Sequence, residues 1–178
     1  DLTGVGGKLK DILGIGIDTA TGVVYAAGKT GVTSFESGRQ QQVAAAPDSS
    51  SILFNRSGAP VVLCRQGLVG ADTIRLSIPK LGSTPRALDE IPAAAFLSTG
   101  DILAVDKNEK RIARFEAHGK YITVFANVNA ERMAVDVTDR IAALVQDGVE
   151  LLERDGKSLG KILSKGASYQ FDRPVGSF

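Results

Sequence analysis

Short apolar runs separated by polar turns recur along the chain and predict antiparallel β-hairpins. Residues 100–119 give the clearest example: an apolar run, a polar turn, a second run in which apolar and polar residues alternate, and a turn that ends in glycine. Alternation is typical of a strand because side chains at every second position lie on the same face. The chain repeats this unit with a period of about 40 residues, which predicts a repeat protein built from hairpins.

The repeats align on four apolar triplets, each followed by a short polar residue, at 15–18, 52–55, 95–98 and 133–136. Asp, Asn and Ser favour turns at these places because their side chains bond to nearby backbone groups. A glycine follows each of the first three triplets and supplies the unusual dihedral angles of a tight turn, whereas an aspartate takes that place in the fourth repeat. These residues are Gly22, Gly58, Gly100 and Asp139.

Three further strands are predicted in each repeat. The second strands are almost wholly apolar, as at 141–145, which suits strands covered on both faces. The third strands alternate; in the second repeat we expect this strand at 73–78, after an inserted stretch at 67–70. Fourth strands, such as 121–125, follow a glycine turn. Four antiparallel strands in each repeat predict an all-β fold, a β-propeller with about four blades.

We expect residues 1–178 to form a single propeller segment. Its repeats would cover roughly 13–47, 48–90, 91–130 and 131–170, and 171–178 would begin a further repeat. A six-bladed ring of this period needs roughly 240 to 280 residues. The four blades predicted here are therefore expected to be part of a larger ring, and the open edges of the four-bladed segment need covering. A closed four-bladed ring is the alternative.

The third repeat resembles an NHL repeat. That pattern runs through an apolar strand, an Asp, an Asn, an Arg-Ile pair and an aromatic residue before a glycine turn, which here are 103–105, Asp106, Asn108, Arg111, Ile112, Phe115 and Gly119. The stretch 171–176 is similar to the start of another such repeat. The period is also similar to that of gluconolactonase-like propellers. These resemblances imply a member of the six-bladed propellers, a group that includes both binding scaffolds and enzymes.

The composition favours a folded domain without a charge preference for its partner. Of the 178 residues, 43% are hydrophobic and 23% are charged, and the net charge is +1. A nearly neutral chain has no overall field that attracts nucleic acid or anionic lipid, so we expect no nucleic-acid partner. No apolar run approaches the ~20 residues of a membrane-spanning helix, so the segment is expected to be soluble. The composition leaves the compartment open.

The single cysteine and the single histidine restrict the chemistry. Cys64 lies in the apolar run 61–64 and is expected to be a small core residue. His118 lies in the turn 116–119 and is expected to be exposed. One histidine excludes a zinc site built from several histidines in this segment, and no serine or cysteine has a histidine in a recognisable triad order. We therefore assign no catalytic residue.

Asp18, Asn55 and Asp136 are the candidate binding residues. They end the opening strands, which line the central channel of a propeller. Oxygen ligands from different blades suit Ca²⁺ or another divalent cation, and the gluconolactonase-like resemblance implies such a site. Capping of their own turns explains all three equally, so we assign no metal and no cofactor, with a divalent cation as the alternative.

The favoured function is a non-catalytic protein-interaction scaffold within a larger protein or assembly. A propeller presents loops on a rigid body, and this one lacks converging titratable groups. The partner would be another protein or the remainder of the same propeller. The stretches 40–47 and 81–86, where proline and small residues interrupt the repeat, are predicted to be contact loops or passive connectors. The alternative is a metal-dependent lactonase or hydrolase with its site in the central channel.

Overall fold

The computed structural model describes residues 12–29, 31–44, 50–64, 67–70, 73–80, 83–88 and 90–164. Over these ranges every regular element is a β-strand, and every paired strand is antiparallel to its neighbour. The all-β prediction is therefore confirmed. The chain divides into two compact units, Asp1–Arg75 and Leu76–Phe178. Whether the whole of 1–178 forms one propeller segment with the predicted repeat boundaries stays a prediction.

The first unit contains two four-stranded sheets whose strands pair in chain order. Sheet 1 consists of β1 (Ile12–Ile17), β2 (Val24–Gly28), β3 (Gly31–Glu36) and β4 (Arg39–Ala44). Sheet 2 consists of β5 (Ser51–Phe54), β6 (Pro60–Cys64), β7 (Gly67–Val69) and β8 (Thr73–Ile74). Pairing in chain order follows from short turns, since each hairpin brings the next strand beside the last.

Sheets 1 and 2 pack against each other through their first strands, which approach closely because β1 carries glycines. A Cβ atom built on Gly16 would lie 3.1 Å from the Cβ of Ile52, and one on Gly14 would lie 2.9 Å from the Cα of Ser51. Tyr25 and Phe54 form an edge-to-face ring pair with centroids 5.9 Å apart. The paired glycines of β1 therefore serve close packing of strands.

The second unit begins with a hairpin formed by β9 (Ser77–Lys80) and β10 (Ser83–Ala87). Two four-stranded sheets follow, again paired in chain order. Sheet 3 consists of β11 (Ala94–Phe96), β12 (Ile102–Asp106), β13 (Arg111–Phe115) and β14 (Tyr121–Ala126). Sheet 4 consists of β15 (Arg132–Val135), β16 (Ile141–Val145), β17 (Gly148–Leu152) and β18 (Ser158–Ser164).

Sheet 3 is buried on both faces, as its continuous apolar second strand requires. Leu103 and Val105 of β12 face sheet 4 and share a core with Met133 and Ile141. The alternate positions of β12 lie on the opposite face and end in Asp106. Arg86 of β10 contacts Asp106, which places the β9–β10 hairpin against that face. An apolar strand without alternation is thus explained by packing partners on either side.

The second repeat departs from the sequence prediction. The stretch 67–70, interpreted as an insertion, contains the third strand itself, β7, and Leu68 in it is fully buried. The expected third strand at 73–78 is instead divided between β8 and β9. The prediction was wrong because β7 is too short to show alternation.

Both predicted connectors also contain strand. Residues 40–44 belong to β4, whose polar glutamines are exposed at the edge of sheet 1, and 83–86 belong to β10. The remaining residues of these two stretches, 45–47 and 81–82, lie outside the described residues. The suggested further repeat at 171–178 also lies outside them. Proline and small residues misled the prediction, because edge strands accommodate them.

Candidate functional site

The turns after the first strands of the four sheets share one backbone pattern. In sheets 2, 3 and 4 the residue that opens the turn donates its N–H to the carbonyl four residues later, and its own carbonyl accepts the N–H three residues later. The turn of sheet 1 is one residue longer, and Asp18 donates to the carbonyl of Val23. These turns hold the candidate residues in a rigid frame.

Asp18 and Asn55 each accept hydrogen bonds from their own turn. The Asp18 carboxylate accepts the N–H of Ala20 at 2.9 Å and the hydroxyl of Thr21 at 2.6 Å. The Oδ1 atom of Asn55 accepts the N–H of Ser57 at 3.0 Å and the N–H of Ala59 at 2.9 Å. The Thr21 hydroxyl and the backbone bonds lower the pKa of Asp18 because they favour the charged carboxylate.

Asp136 is bound more fully within its turn. Its Oδ1 atom accepts the N–H and the hydroxyl of Thr138, both at 2.7 Å, and the N–H of Arg140 at 3.0 Å. Its Oδ2 atom accepts from Nε of Arg140 at 2.9 Å. These bonds favour the charged carboxylate and hold the pKa of Asp136 well below its usual range. The bond from the Thr138 hydroxyl has the largest effect, and the bond from the Arg140 backbone N–H has the next largest.

The third turn corrects the sequence alignment by one residue. Leu97 opens this turn, since its N–H donates to the carbonyl of Asp101 and its carbonyl accepts from Gly100. Ser98, which was aligned with the other opening residues, bonds instead to the turn of sheet 4. Its N–H and hydroxyl donate to the two carboxylate oxygens of Asp139, at 2.7 Å and 2.6 Å. Residue type alone favoured Ser98, although only the backbone bonds define the turn.

The observed bonds favour turn capping by the three candidate residues. A cation at Asp136 would have to displace the Arg140 guanidinium and the bonds from Thr138. Within the described ranges no group of three or more His, Cys, Asp and Glu side chains is placed to hold a metal ion. Asp18 and Asn55 belong to one unit and Asp136 to the other. Their joint role as a binding site stays a prediction.

His118 and Cys64 occupy the environments that the sequence predicted. The His118 side chain is 72% exposed, and its Nε2 atom lies 3.0 Å from a carboxylate oxygen of Glu116. Cys64 is buried at the end of β6, where its thiol donates to the carbonyl of Gly67 at 3.4 Å. These contacts do not connect His118 with Cys64 or with a serine.

Asp106 is the charged residue whose position the sequence reasoning missed. The NHL-like pattern includes this residue without predicting its burial, yet only 1% of it is exposed. Its Oδ2 atom lies 2.6 Å from a guanidinium nitrogen of Arg86 and 3.4 Å from Nε of Arg111. Ile102 and Ala104, four and two residues earlier, are fully buried on the same face, and this alternation was the available signal.

The strongest candidate for an interaction surface is the face of β1 that points away from sheet 2. Leu13, Ile15 and Ile17 alternate with Gly14 and Gly16, and since the glycines face sheet 2, these three side chains project from the other face. All three are largely exposed, and Ile15 reaches 69%. Exposed apolar side chains that line one strand mark a surface that gains stability when it is covered.

The residues that the structure describes include no helix long and apolar enough to cross a membrane.

The chain is similar in fold to solved propeller structures. A gluconolactonase from Xanthomonas campestris, described as important in glucose secondary metabolic pathways, superposes with a TM-score of 0.56 at 19% identity, over 85% of this chain and 62% of that one. A structure of a nidogen/laminin complex superposes with a TM-score of 0.59 at 14% identity, over 83% of this chain and 63% of that one.

A protein of unknown function from Bacteroides thetaiotaomicron superposes with a TM-score of 0.61 at 15% identity, over 88% of this chain and 44% of that one. This chain therefore spans less than two thirds of the length of these proteins. No protein-family model matches the sequence, and no curated protein matches it. At such identities the likeness concerns the fold alone, and the fold of this chain is of the β-propeller type.

Proposed function

We propose that this chain is a non-catalytic, propeller-type scaffold that binds protein within a larger protein or assembly. The exposed apolar face of β1 carries the proposal. Leu13, Ile15 and Ile17 are more than half exposed although they lie in an ordered strand. Burying one such side chain fully contributes about 1.5–3 kcal/mol, so a partner that covers all three gains a favourable contact.

The candidate oxygen ligands support a binding role over a catalytic one. The carboxylate of Asp136 is occupied by Thr138 and Arg140, and that of Asp18 by Ala20 and Thr21. Carboxylates held in this way stiffen the turns that connect the first two strands of sheets 1 and 4. Rigid turns and an exposed apolar strand are features of a scaffold, because ordering them costs little entropy on binding.

The NHL-like character of the third repeat belongs to the same proposal. Asp106 and Arg111 occupy the Asp and Arg positions of that pattern, and Arg111 Nε lies 3.4 Å from the Asp106 carboxylate. The N–H of Glu109 is 3.4 Å from the other carboxylate oxygen. The pattern thus has a physical role here, since the buried Asp and the Arg face each other across the β12–β13 turn.

Native assembly size tests the scaffold. Ile15→Lys places a charge in the exposed face of β1, whereas Val137→Lys places the same charge at a turn residue that is 97% exposed and lies on no sheet face. We expect Ile15→Lys to release the protein from its native assembly on non-denaturing gels of cell extract, and Val137→Lys to leave the assembly intact. Circular dichroism checks that both variants fold. An assembly that survives Ile15→Lys in a folded protein contradicts the proposal.

A metal-dependent lactonase is the second candidate, favoured by the likeness to a gluconolactonase. It requires a divalent cation held by residues such as Asp18, Asn55 and Asp136. Titration calorimetry with Ca²⁺, Zn²⁺ and Mn²⁺, together with hydrolysis of glucono-δ-lactone, separates the two functions. The scaffold predicts neither saturable binding nor turnover. The lactonase predicts both, lost in Asp136→Asn and retained in Asp147→Asn, a carboxylate paired instead with Lys161.

A further inference from the structure

The last strand of each four-stranded sheet lies at its edge, where the backbone groups of one side have no partner strand in that sheet. Proteins protect such edges with short strands, bulges or charged side chains, because an open edge pairs readily with another strand. β8 is two residues long, and β14 and β18 each contain two register shifts. β18 also carries Lys161. These three edges are therefore protected.

β4 lacks these protections over most of its length. Its pairing with β3 is unbroken from Arg39 to Gln42, and the one register shift follows at Val43. No charged residue follows Arg39 within the strand. All residues from 36 to 43 are exposed, on both faces of the strand, so none of them is buried by another part of the chain. β4 is thus the least protected of the four edges.

The turn between β3 and β4 determines which backbone groups point away from the sheet. Residues 37–38 form a two-residue turn in which both residues have positive φ, 47° and 77°. The residue after such a turn donates its N–H back across it, so the N–H of Arg39 points toward β3. Inward and outward positions alternate along an antiparallel strand, so the backbone groups of Gln40 point outward and those of Gln41 point inward. The Ser34 hydroxyl of β3 donates to the Gln41 carbonyl at 3.4 Å, in agreement with this assignment.

This alternation suits a second β4 strand that runs antiparallel to the first, with Gln41 on a two-fold axis. Gln40 of one copy then lies opposite residue 42 of the other. Both positions point their backbone groups outward by alternation, and such opposite residues exchange two hydrogen bonds. The pairing requires only backbone groups at residue 42 and makes no use of its side chain.

The side chains of β4 also favour an identical strand as the partner. Gln41 would face its own copy in a non-hydrogen-bonded pair, where opposite side chains are closest. A glutamine amide both donates and accepts hydrogen bonds, so two glutamines can satisfy each other, whereas two like charges would repel. Arg39 would lie toward Val43 of the other copy, so the two arginines do not face each other.

We propose that two copies of this chain dimerise through their β4 strands, which pair antiparallel about a two-fold axis at Gln41. The contact joins the same surface of both copies, so it closes as a dimer and does not extend into a filament. All of its residues belong to the first unit. It does not involve the exposed side chains of β1, so it goes beyond the proposed scaffold function and does not depend on it.

Charge complementation at residue 41 tests the register. Sedimentation velocity on the 178-residue chain should show a monomer–dimer equilibrium. Gln41→Lys and Gln41→Glu should each weaken dimerisation at least about fivefold, because like charges then face each other across the axis. An equimolar mixture of these two variants should dimerise, since opposite charges then meet. Val137→Lys adds the same charge at a 97% exposed residue of the second unit and should dimerise like the wild type.

Disulfide formation provides a second measurement of the same register. Opposite residues in a non-hydrogen-bonded pair have Cα atoms about 4.5 Å apart, within the range that a disulfide bridges. Gln41→Cys should therefore give a covalent dimer on oxidation with diamide. Gln40→Cys is the matched control and should cross-link far more slowly, because residue 40 faces residue 42 and not its own copy. The native thiol of Cys64 is buried, and the wild type gives the background.

Circular dichroism checks that each variant folds. A wild-type chain that stays monomeric at every concentration, or a mixture of the two folded charge variants that does not pair, overturns the dimer. Equal weakening by Val137→Lys, or equal cross-linking of Gln40→Cys and Gln41→Cys, also overturns it. Ile15→Lys should leave this dimer intact. A monomeric chain that still loses its native assembly through Ile15→Lys would overturn the dimer and leave the scaffold function standing.

Discussion

The buried carboxylate of Asp106 makes the Arg86→Met substitution the most informative change in the second unit. Asp106 is 1% exposed, and its Oδ2 atom lies 2.6 Å from Arg86 and 3.4 Å from Arg111. Methionine keeps much of the length and apolar surface of arginine but removes the charge. The substitution therefore removes the ionic contact that ties the β9–β10 hairpin to sheet 3.

Removing one partner of a buried ion pair costs about 3–5 kcal/mol, because the other charge stays in an apolar environment. Arg111 remains near the same oxygen of Asp106, and the Arg86 side chain is 28% exposed, so part of the cost is recovered. We expect Arg86→Met to lower the free energy of unfolding by about 2–3 kcal/mol. Adding Asp106→Leu should restore part of it, since the buried carboxylate is then gone and only Arg111, whose side chain is 22% exposed, loses an ionic partner.

Lys161→Met provides the control, because Lys161 and Asp147 also form a cation–carboxylate pair, but one that is exposed to solvent. Its two side chains are 39% and 48% exposed, and such pairs contribute about 0.2–1 kcal/mol. Urea denaturation followed by circular dichroism gives the free energies. Hydrogen exchange read from peptides that cover 76–88 should locate the loss in the hairpin. Equal costs for Arg86→Met and Lys161→Met, or a double variant less stable than Arg86→Met, would refute the reasoning.

Three further changes test the turns. Gly156→Ala should lower the free energy of unfolding by about 3 kcal/mol, because a Cβ at this positive φ of 87° would overlap the backbone carbonyl oxygen of Phe125. Gly38→Ala is the control: its φ is 77°, but a Cβ there meets no other atom, so the loss in urea denaturation should be about 1 kcal/mol. Asp139→Gly should relieve a φ of 64° but lose both bonds to Ser98, for a net loss of about 1 kcal/mol. The loss should be smaller when Ser98 is already alanine, because only the bond from the backbone N–H is then left to lose. Because the pKa of Asp136 is lowered, the charged carboxylate stabilises the folded chain above about pH 3.8, the ordinary pKa of the group, and this stabilisation is lost as the pH falls below it. Asp136→Asn should therefore make the melting temperature fall less steeply between about pH 4 and pH 2. A variant whose melting temperature falls as steeply as that of the wild type would contradict this.

Local sequence determined the strands and the caps of most turns. The bonds of Asp18, Asn55 and Asp136 all reach residues no more than four positions away, so the residue types and their spacing were enough to predict turn capping. Alternating and continuous apolar runs predicted strands for the same reason, since a strand's side-chain pattern repeats every second residue. The burial of Cys64 likewise followed from its apolar neighbours.

Only the tertiary structure decided which distant side chains meet. Arg86 and Asp106 are 20 positions apart, and Ser98 and Asp139 are 41 apart, so no local pattern pairs them. The β9–β10 hairpin and the short strand β7 were missed because packing against other elements, and not their own periodicity, holds them as strands. The sequence also did not show which face of a first strand meets the neighbouring sheet, and only packing places Gly16 against Ile52 and Ala95 in one core with Met133. A sequence specifies which residues share one face of a strand, whereas the surface that packs against that face determines which of them are buried and which side chains they contact.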